Sequence, residues 1–151
     1  MNTVDSGAAE HPPREEHRIG QHTATIQEDT ALLVFVGDES LEEAREIAGL
    51  LGRSMSAHPR FYVIVDVRRI GNVPSETRKV WVVWFKTHNP EAVIVVGAGI
   101  AIRSFVKLVA AATRVLTGKE PRFILVGSED EARAWLNAYK QRAPARAEGW
   151  F

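Results

Sequence analysis

The segment from residue 61 to 99 decides the fold and reads FYVIVDVRRIGNVPSETRKVWVVWFKTHNPEAVIVVGAG. Residues 61–65 are all β-branched or aromatic, which is typical of a strand buried on both faces. Residues 74–87 predict a helix that begins at a proline and ends before Asn89-Pro90. The apolar run at 92–96 predicts the next strand. Because a strand, a helix and a strand follow one another, we expect the two strands to be parallel, with the helix packed on the sheet.

The same alternation continues on both sides of this segment. The motifs at 40–43 (SLEE) and 128–131 (SEDE) are capping boxes, and each predicts the start of a helix. The first two strands are separated by Glu28-Asp29 and are expected to form an antiparallel hairpin. The order β-β-α-β-α-β-α-β-α therefore predicts an α/β fold with a mainly parallel sheet packed with helices. The further elements are predicted as strands at 22–27, 31–36 and 123–126 and a helix at 100–116.

The chain length of 151 residues fits one domain with short terminal extensions. Residues 1–20 are polar and include two prolines, which predicts a disordered arm. The regular pattern assigns residues 21–141 to the domain. Residues 142–151 are rich in Ala, Pro and Arg, and we predict a flexible tail there.

Composition argues against several classes of protein. The absence of cysteine removes disulfides, thiolate catalysis and cysteine-ligated zinc or iron–sulfur sites. The 19 basic and 19 acidic residues balance, whereas nucleic-acid-binding domains normally have a basic excess. No apolar stretch approaches the roughly 20 residues of a membrane-spanning helix, and no secretory signal is visible. We therefore predict a cytoplasmic protein with no nucleic-acid partner, no membrane span, no cofactor and no bound metal.

The run VWVVWF at residues 80–85 is unusual for a helix that packs on a sheet. Six consecutive apolar residues cover every direction around the helix, but only one face can meet the sheet. We expect Val80, Val83 and Trp84 to face inward, which leaves the other three side chains without cover. Leaving them in water is costly, because burial of such a side chain is worth roughly 1.5–3 kcal/mol.

Four interpretations of this run remain open. One is a protein-binding or homodimer surface with Trp81 and Phe85 as anchors. Another is the wall of an apolar ligand pocket between this helix and the helix at 100–116. A strand in place of the helix, or cover by Trp150-Phe151, would also bury the run. The residues predicted for the interaction surface are Arg78, Lys79, Trp81, Phe85, Arg103 and Lys107, and those predicted for the pocket are Trp84, Phe85 and Phe105.

Charged and glycine residues near the strand ends have both a structural and a functional interpretation. Gly97-x-Gly99 matches part of a dinucleotide-binding fingerprint, but a tight turn with close helix–sheet packing explains it equally. Arg103, Lys107 and Arg114 share one helical stripe, which is a solvated face or a site for an acidic partner or lipid headgroup. Asp66 ends a strand, and no carboxylate, His or Ser is placed by the sequence to act with it, so we expect it to organise a loop.

Three stretches carry a resemblance to a known family: FYVIVDVRRI at 61–70, the strand that enters Gly97, and FILVGSEDEARAWL at 123–136. With this element order, residues 24–140 resemble the STAS fold of anti-sigma-factor antagonists. They resemble still more the SpoIIAA-like proteins, a divergent bacterial group whose fold is also similar to CRAL-TRIO lipid-binding domains. The resemblance implies a signalling or protein-interaction module without enzymatic activity.

The resemblance also implies a phosphorylation site. STAS antagonists carry Asp-Ser-Ser-Gly, whose first serine is phosphorylated by an anti-sigma kinase. The corresponding residues here are Pro74-Ser75-Glu76-Thr77, so only Ser75, at the phosphoacceptor position, matches. The local sequence independently predicts a simpler role, in which the Ser75 hydroxyl caps the helix that follows. Arg78 and Lys79 lie one turn away, where they could pair with a phosphate.

These features together predict a non-enzymatic STAS-like module that recognises a protein partner or a second copy of itself. The alternative is a carrier of an apolar small molecule or lipid, as the CRAL-TRIO likeness implies. An enzyme that acts on a phosphorylated metabolite at residues 97–103 is a third possibility, for which the sequence offers no identifiable base or nucleophile.

Overall fold

The computed structural model describes residues 13–119 and 121–148. In this part of the chain, six strands form one sheet whose spatial order follows the sequence, and four helices pack on it. The elements are β1 (Arg14–Ile19), β2 (His22–Gln27), β3 (Thr30–Gly37), α1 (Leu41–Met55), β4 (Tyr62–Ile70), α2 (Ser75–Thr87), β5 (Ala92–Val96), α3 (Ile100–Thr117), β6 (Phe123–Val126) and α4 (Glu129–Glu148).

The sheet is mixed, with a parallel majority. Strands β1, β2 and β3 pair antiparallel, and β3 to β6 pair parallel. The β2–β3 hairpin turns tightly at Glu28, whose φ of 55° lies in the left-handed region. The predicted α/β class, the hairpin and the mainly parallel sheet are therefore confirmed.

Strand β1 is a correction to the sequence analysis, which placed residues 14–19 in a disordered arm. Its sequence REEHRI is mostly charged, and only Ile19 is fully buried. The strand lies at the edge of the sheet, where charged side chains remain solvated and discourage pairing with other chains. Such a strand lacks the apolar alternation that the prediction relied on. Residues 1–12 lie outside the described part of the chain.

The C-terminal boundary also differs from the prediction. The backbone of α4 continues to Glu148, past the start of the tail predicted at residue 142. Ala, Arg and Glu, which make up most of this stretch, are strong helix formers. Trp150 and Phe151, considered above as cover for the apolar run, lie outside the described residues.

Each face of the sheet has its own apolar core, because side chains alternate along the strands. One face packs against α1 and α2, with α3 lying against α2 on the same side of the sheet, and the other face packs against α4. On the α4 face, the Tyr139 hydroxyl donates to Glu91 Oε2 at 2.5 Å, and Lys140 Nζ donates to Asp29 Oδ1 at 2.8 Å. The Trp135 ring stacks on Tyr139 at 5.0 Å between centroids. This face is closed, so the space for a site lies on the opposite face.

The hairpin is fixed to α1 by one buried histidine. His22 Nδ1 accepts the backbone N–H of Val36 at 3.0 Å, so the ring proton is on Nε2. Nε2 then donates to Glu43 Oε1 at 3.1 Å. Glu43 also completes the predicted capping box, since Ser40 and Glu43 bond reciprocally. This contact sets the position of the β3–α1 loop. The loop contains Glu39, the residue immediately before Ser40.

Candidate apolar ligand site

A cavity of about 800 Å³ lies between the sheet and helices α2 and α3. Its floor is formed by alternate residues of the central strands, among them Val63 and Val65 of β4 and Val95 of β5. Helix α3 packs against α2 rather than directly on the sheet, which leaves this space open. The volume is in the range of small-molecule sites, roughly 300–1,000 Å³.

The aromatic side chains of α2 form one wall. Trp84 is buried, and its indole N–H donates to the Ala48 carbonyl of α1 at 3.1 Å. Trp81 and Phe85 meet the Trp84 ring edge-on, with centroid separations of 6.0 and 5.0 Å. Phe85 also contacts Phe123 of β6 at 5.3 Å. All three aromatic residues of the unusual apolar run of α2 therefore belong to the cavity wall.

The predicted site residues divide between the cavity and the outer surface. Trp84, Phe85 and Phe105, named above for an apolar pocket, all line the cavity. Trp81 and Phe85, named for an exposed interaction surface, are half-buried in the same wall. Val83, expected to face inward, is 56% exposed and takes the outward position instead. Val80 and Trp84 do pack against the core as expected, and Trp81 and Phe85 rather than Val83 take the remaining positions toward the cavity.

Glu39 is the acidic side chain in the cavity lining, and sequence reasoning missed it. It is 2% exposed, and its Oε2 accepts the Trp81 indole N–H at 2.8 Å. Its backbone is held on both sides, since its N–H donates to the Asn72 carbonyl and its carbonyl accepts the Thr77 hydroxyl. Burial raises the pKa of Glu39 to about 7, partly opposed by the Trp81 hydrogen bond and assisted by the charge of Glu43.

Two arginines also line the cavity, and both side chains have protein partners. The guanidinium of Arg68 donates through Nε and Nη2 to the two oxygens of Asp66, at 3.0 and 2.7 Å. These hydrogen bonds lower the pKa of Asp66. Asp66 Oδ1 also accepts the Arg68 backbone N–H at 3.0 Å, which is the loop-organising role expected from the sequence. Arg78 is exposed, and its Nη1 donates to the Val73 carbonyl at 3.0 Å. Both guanidinium groups therefore lie at the cavity wall, but neither of them donates a hydrogen bond to Glu39.

Gly97 allows Arg68 to lie across the turn between β5 and α3. Gly97 has φ of 74°, and a Cβ there would fall 2.2 Å from Arg68 Cγ. Gly99, by contrast, has open space around the position of a Cβ. The close approach of the Arg68 side chain therefore explains why residue 97 is a glycine. Close helix–sheet packing, which the sequence also suggested, is not what requires it.

Helix α3 forms the outer cover of the cavity, and it is thinly packed. Over its 18 residues only Val109 and Thr113 are buried. Several large apolar side chains point to solvent. Arg103 and Lys107, predicted for an interaction surface, are exposed on the same helix. The exposed apolar residues of α3 are Ile100 (86%), Leu108 (60%), Val115 (79%) and Leu116 (60%).

Ser75 is the first residue of α2 and is exposed. The N-cap is Pro74, and no side-chain hydrogen bond caps the helix, so the predicted capping role of Ser75 is wrong. Pro74 takes that place because its fixed φ suits the start of a helix. The Ser75 hydroxyl is left accessible, with Arg78 and Lys79 exposed one turn further along the helix.

Residues 13–119 and 121–148 contain neither a metal-binding cluster nor a membrane-spanning helix. No group of three or more His, Asp or Glu side chains is arranged to hold a metal ion there. None of the helices in this part of the chain has the length and apolar character that crossing a membrane requires.

Comparison with solved structures places this architecture among known folds. A structure of the anti-sigma factor antagonist SpoIIAA in its unphosphorylated form superimposes with a TM-score of 0.53 at 9% identity, covering 83% of this chain and 98% of that chain. The chain has a SpoIIAA-like fold. An uncharacterised DUF3478 protein with a SpoIIAA-like fold from Shewanella loihica superimposes with a TM-score of 0.52 at 16% identity, covering 83% and 93%. No family model and no curated protein matches the sequence.

Proposed function

We propose that this SpoIIAA-like protein binds an apolar small molecule or lipid chain in the cavity between the sheet, α2 and α3. The observation that carries the proposal is the cavity itself. The cavity opens to solvent on one side, so its largely apolar lining meets water instead of packing against protein atoms, which is costly. An apolar cavity of about 800 Å³ is therefore best explained by a ligand that fills it.

The composition of the wall supports binding rather than catalysis. The lining is dominated by Val, Leu, Ile, Phe and Trp side chains, and its acidic member, Glu39, is hydrogen-bonded to an indole. A general base or nucleophile normally works with a second group within hydrogen-bonding distance that activates or orients it. Among the described residues, Trp81 is the side chain that bonds the Glu39 carboxyl, and an indole can only donate.

The test is ligand capture followed by a variant that fills the cavity. Native mass spectrometry of the gently purified protein should show an added mass that is lost on denaturation, which identifies the ligand class. Val65→Phe adds bulk to the floor and should abolish the added mass while the protein stays folded. Val83→Phe makes the same change on the exposed side of α2 and should leave binding intact. An unliganded wild-type protein that also fails to bind long-chain apolar probes would contradict the proposal.

A second candidate function is recognition of a protein partner or of a second copy of the chain. The surface that supports it is not the one that was predicted from the sequence. The aromatic anchors Trp81 and Phe85 are committed to the cavity wall, whereas α3 presents Leu108 and Val115 to solvent beside exposed Arg103 and Lys107. Exposed apolar residues flanked by charge are typical of interaction sites. We propose that any association uses this face of α3.

Light scattering after size-exclusion chromatography tests the self-association form of this second candidate. A Leu108→Glu/Val115→Glu double variant should convert a wild-type dimer into a monomer without loss of secondary structure. The matched control is Lys79→Glu, an exposed charge change on α2 outside this face. A monomeric wild-type protein, or a dimer that survives the double variant, would rule out self-association through α3.

A further inference from the structure

The Glu39 side chain stands out because it is a buried carboxyl group in a cavity that is lined mainly by apolar side chains. It is 2% exposed, it lines the cavity, and one of its oxygens accepts the Trp81 indole N–H at 2.8 Å. No second hydrogen bond joins the carboxyl to another residue of the described chain. The carboxyl therefore stands as a fixed polar group in a largely apolar cavity lining, and ligand sites of this kind use a few such groups to bind the polar atoms of the ligand.

The backbone geometry keeps this carboxyl in place. The Glu39 N–H donates to the Asn72 carbonyl at 3.0 Å, and the Glu39 carbonyl accepts the Thr77 hydroxyl at 3.3 Å. The next residue, Ser40, is the N-cap of α1 and is locked by the capping box. The side chain therefore projects from a fixed point, which is what a specificity-determining group requires.

We propose that Glu39, in its protonated form, donates a hydrogen bond to the hydroxyl or carbonyl oxygen of a neutral, otherwise apolar ligand, and that it is the residue that selects this class. This inference rests on the proposed binding function and adds the chemistry of the ligand's polar end. The indole N–H occupies Oε2 as acceptor, so the proton of the neutral acid is carried by Oε1, which then offers the donor to the ligand.

The charges around Glu39 favour a neutral ligand over a charged one. Glu43 of α1 places a second negative charge nearby and disfavours ionisation of Glu39, while the His22 ring of β2 is engaged with Glu43. Arg68 of β4 is paired with Asp66, and Arg78 of α2 is bonded to the Val73 carbonyl. Asp38, adjacent in sequence, accepts the Asn72 N–H through its side chain.

A neutral ligand that fills the cavity removes the remaining water from the carboxyl, and desolvation disfavours its charged form. Ligand binding therefore requires the protonated form, and the apparent dissociation constant rises as that form is depleted. Because burial raises the pKa of Glu39 to about 7, the protonated fraction falls about tenfold between roughly pH 6 and pH 8. The protein should thus release its ligand as the pH rises through neutrality.

The experiment is isothermal titration calorimetry of the intact protein with three probes of matched chain length: 1-decanol, decanoate and decylamine. None of the three changes charge between about pH 6 and pH 8, since carboxylic acids and amines titrate well outside that window. We expect 1-decanol to bind best at pH 6 and about tenfold more weakly at pH 8. The two charged probes should bind more weakly than 1-decanol at pH 6.

Variants separate Glu39 from the cavity as a whole. Glu39→Gln mimics the neutral acid and still accepts the Trp81 N–H, so it should keep 1-decanol binding and lose the pH dependence. Glu42→Gln makes the same change at an exposed position of α1 and should behave as wild type. Preferred binding of decanoate or decylamine, or 1-decanol binding with the same pH profile in wild type and Glu39→Gln, would overturn the assignment while the cavity function stands. Failure of all three probes to bind at either pH would instead refute the binding function itself.

Discussion

Raising the pH from about 5 to about 8 should destabilise the wild-type protein considerably more than a Glu39→Gln variant. Burial raises the pKa of Glu39 from its usual 4.5 to about 7 in the folded protein. The difference between these two values corresponds to about 3 kcal/mol, at about 1.4 kcal/mol per pH unit. This difference is the amount by which the free energy of unfolding decreases when Glu39 must be charged in the folded state.

The direction follows from the number of protons bound in each state. Below about pH 4.5 Glu39 is protonated in both the folded and the unfolded chain, so it contributes no pH dependence. Between 4.5 and about 7 the folded chain keeps the proton while the unfolded chain has lost it. The folded state then binds more protons, and the free energy of unfolding falls as the pH rises. Above about pH 7 both states are charged and the full penalty is present.

Urea unfolding at a series of pH values measures this effect directly. The free energy of unfolding of wild type minus that of Glu39→Gln should fall by about 3 kcal/mol between pH 4.5 and pH 8. Glu42→Gln, which is exposed on α1, should follow the wild-type curve. Glu43 does not obscure the result: the Ser40 backbone hydrogen bond lowers the pKa of Glu43, so its contribution is lost only as the pH falls below about 4.5. Parallel wild-type and Glu39→Gln curves over the whole range would refute the reasoning.

Two further stability predictions concern the frame around the site, and both are measured by urea unfolding. Gly97→Ala should lower the free energy of unfolding by about 1–2 kcal/mol because of the left-handed backbone alone, and by more because its Cβ meets Arg68 Cγ. Gly99→Ala, which has open space around it, should be nearly neutral. Equal losses at the two glycines would contradict this account. His22→Ala should cost about 2–3 kcal/mol, because it leaves the Val36 amide without its acceptor and Glu43 without its buried donor; a loss below about 0.5 kcal/mol would show that the histidine is not what joins the hairpin to α1.

Most of the fold could be predicted because the strands are encoded locally. The runs at 92–96 and 123–126 are β-branched or apolar and bounded by polar or glycine residues, and the structure has strands at those positions. Strand β1 could not be predicted in the same way. Its identity comes from pairing with β2 across the whole register from Arg14 to Ile19, whereas its own residues read as a solvated arm.

The candidate site was predicted less well than the fold. The apolar run of α2 signalled that something must cover Trp81 and Phe85, and the structure shows the cavity wall there. The size of the cavity depends on how far α3 lies from the sheet, which is a property of tertiary packing that no local pattern records. Glu39 gave no signal either, because an acidic residue just before a helix is common and its burial depends on Asn72, Thr77 and Trp81, which are distant in sequence.

The alternation of side chains along residues 62–65 of β4 assigns the cavity lining and the core beneath α4 to different positions of one strand. Val63 and Val65 point into the cavity, whereas Tyr62 and Ile64 point into the closed core beneath α4. Substitutions at Val63 and Val65 would therefore change the shape of the cavity, and those at Tyr62 and Ile64 would change how firmly the domain is assembled. Selection for a new ligand can act on the first set while the second retains the fold, which makes this strand a natural starting point for engineering a binder of chosen size.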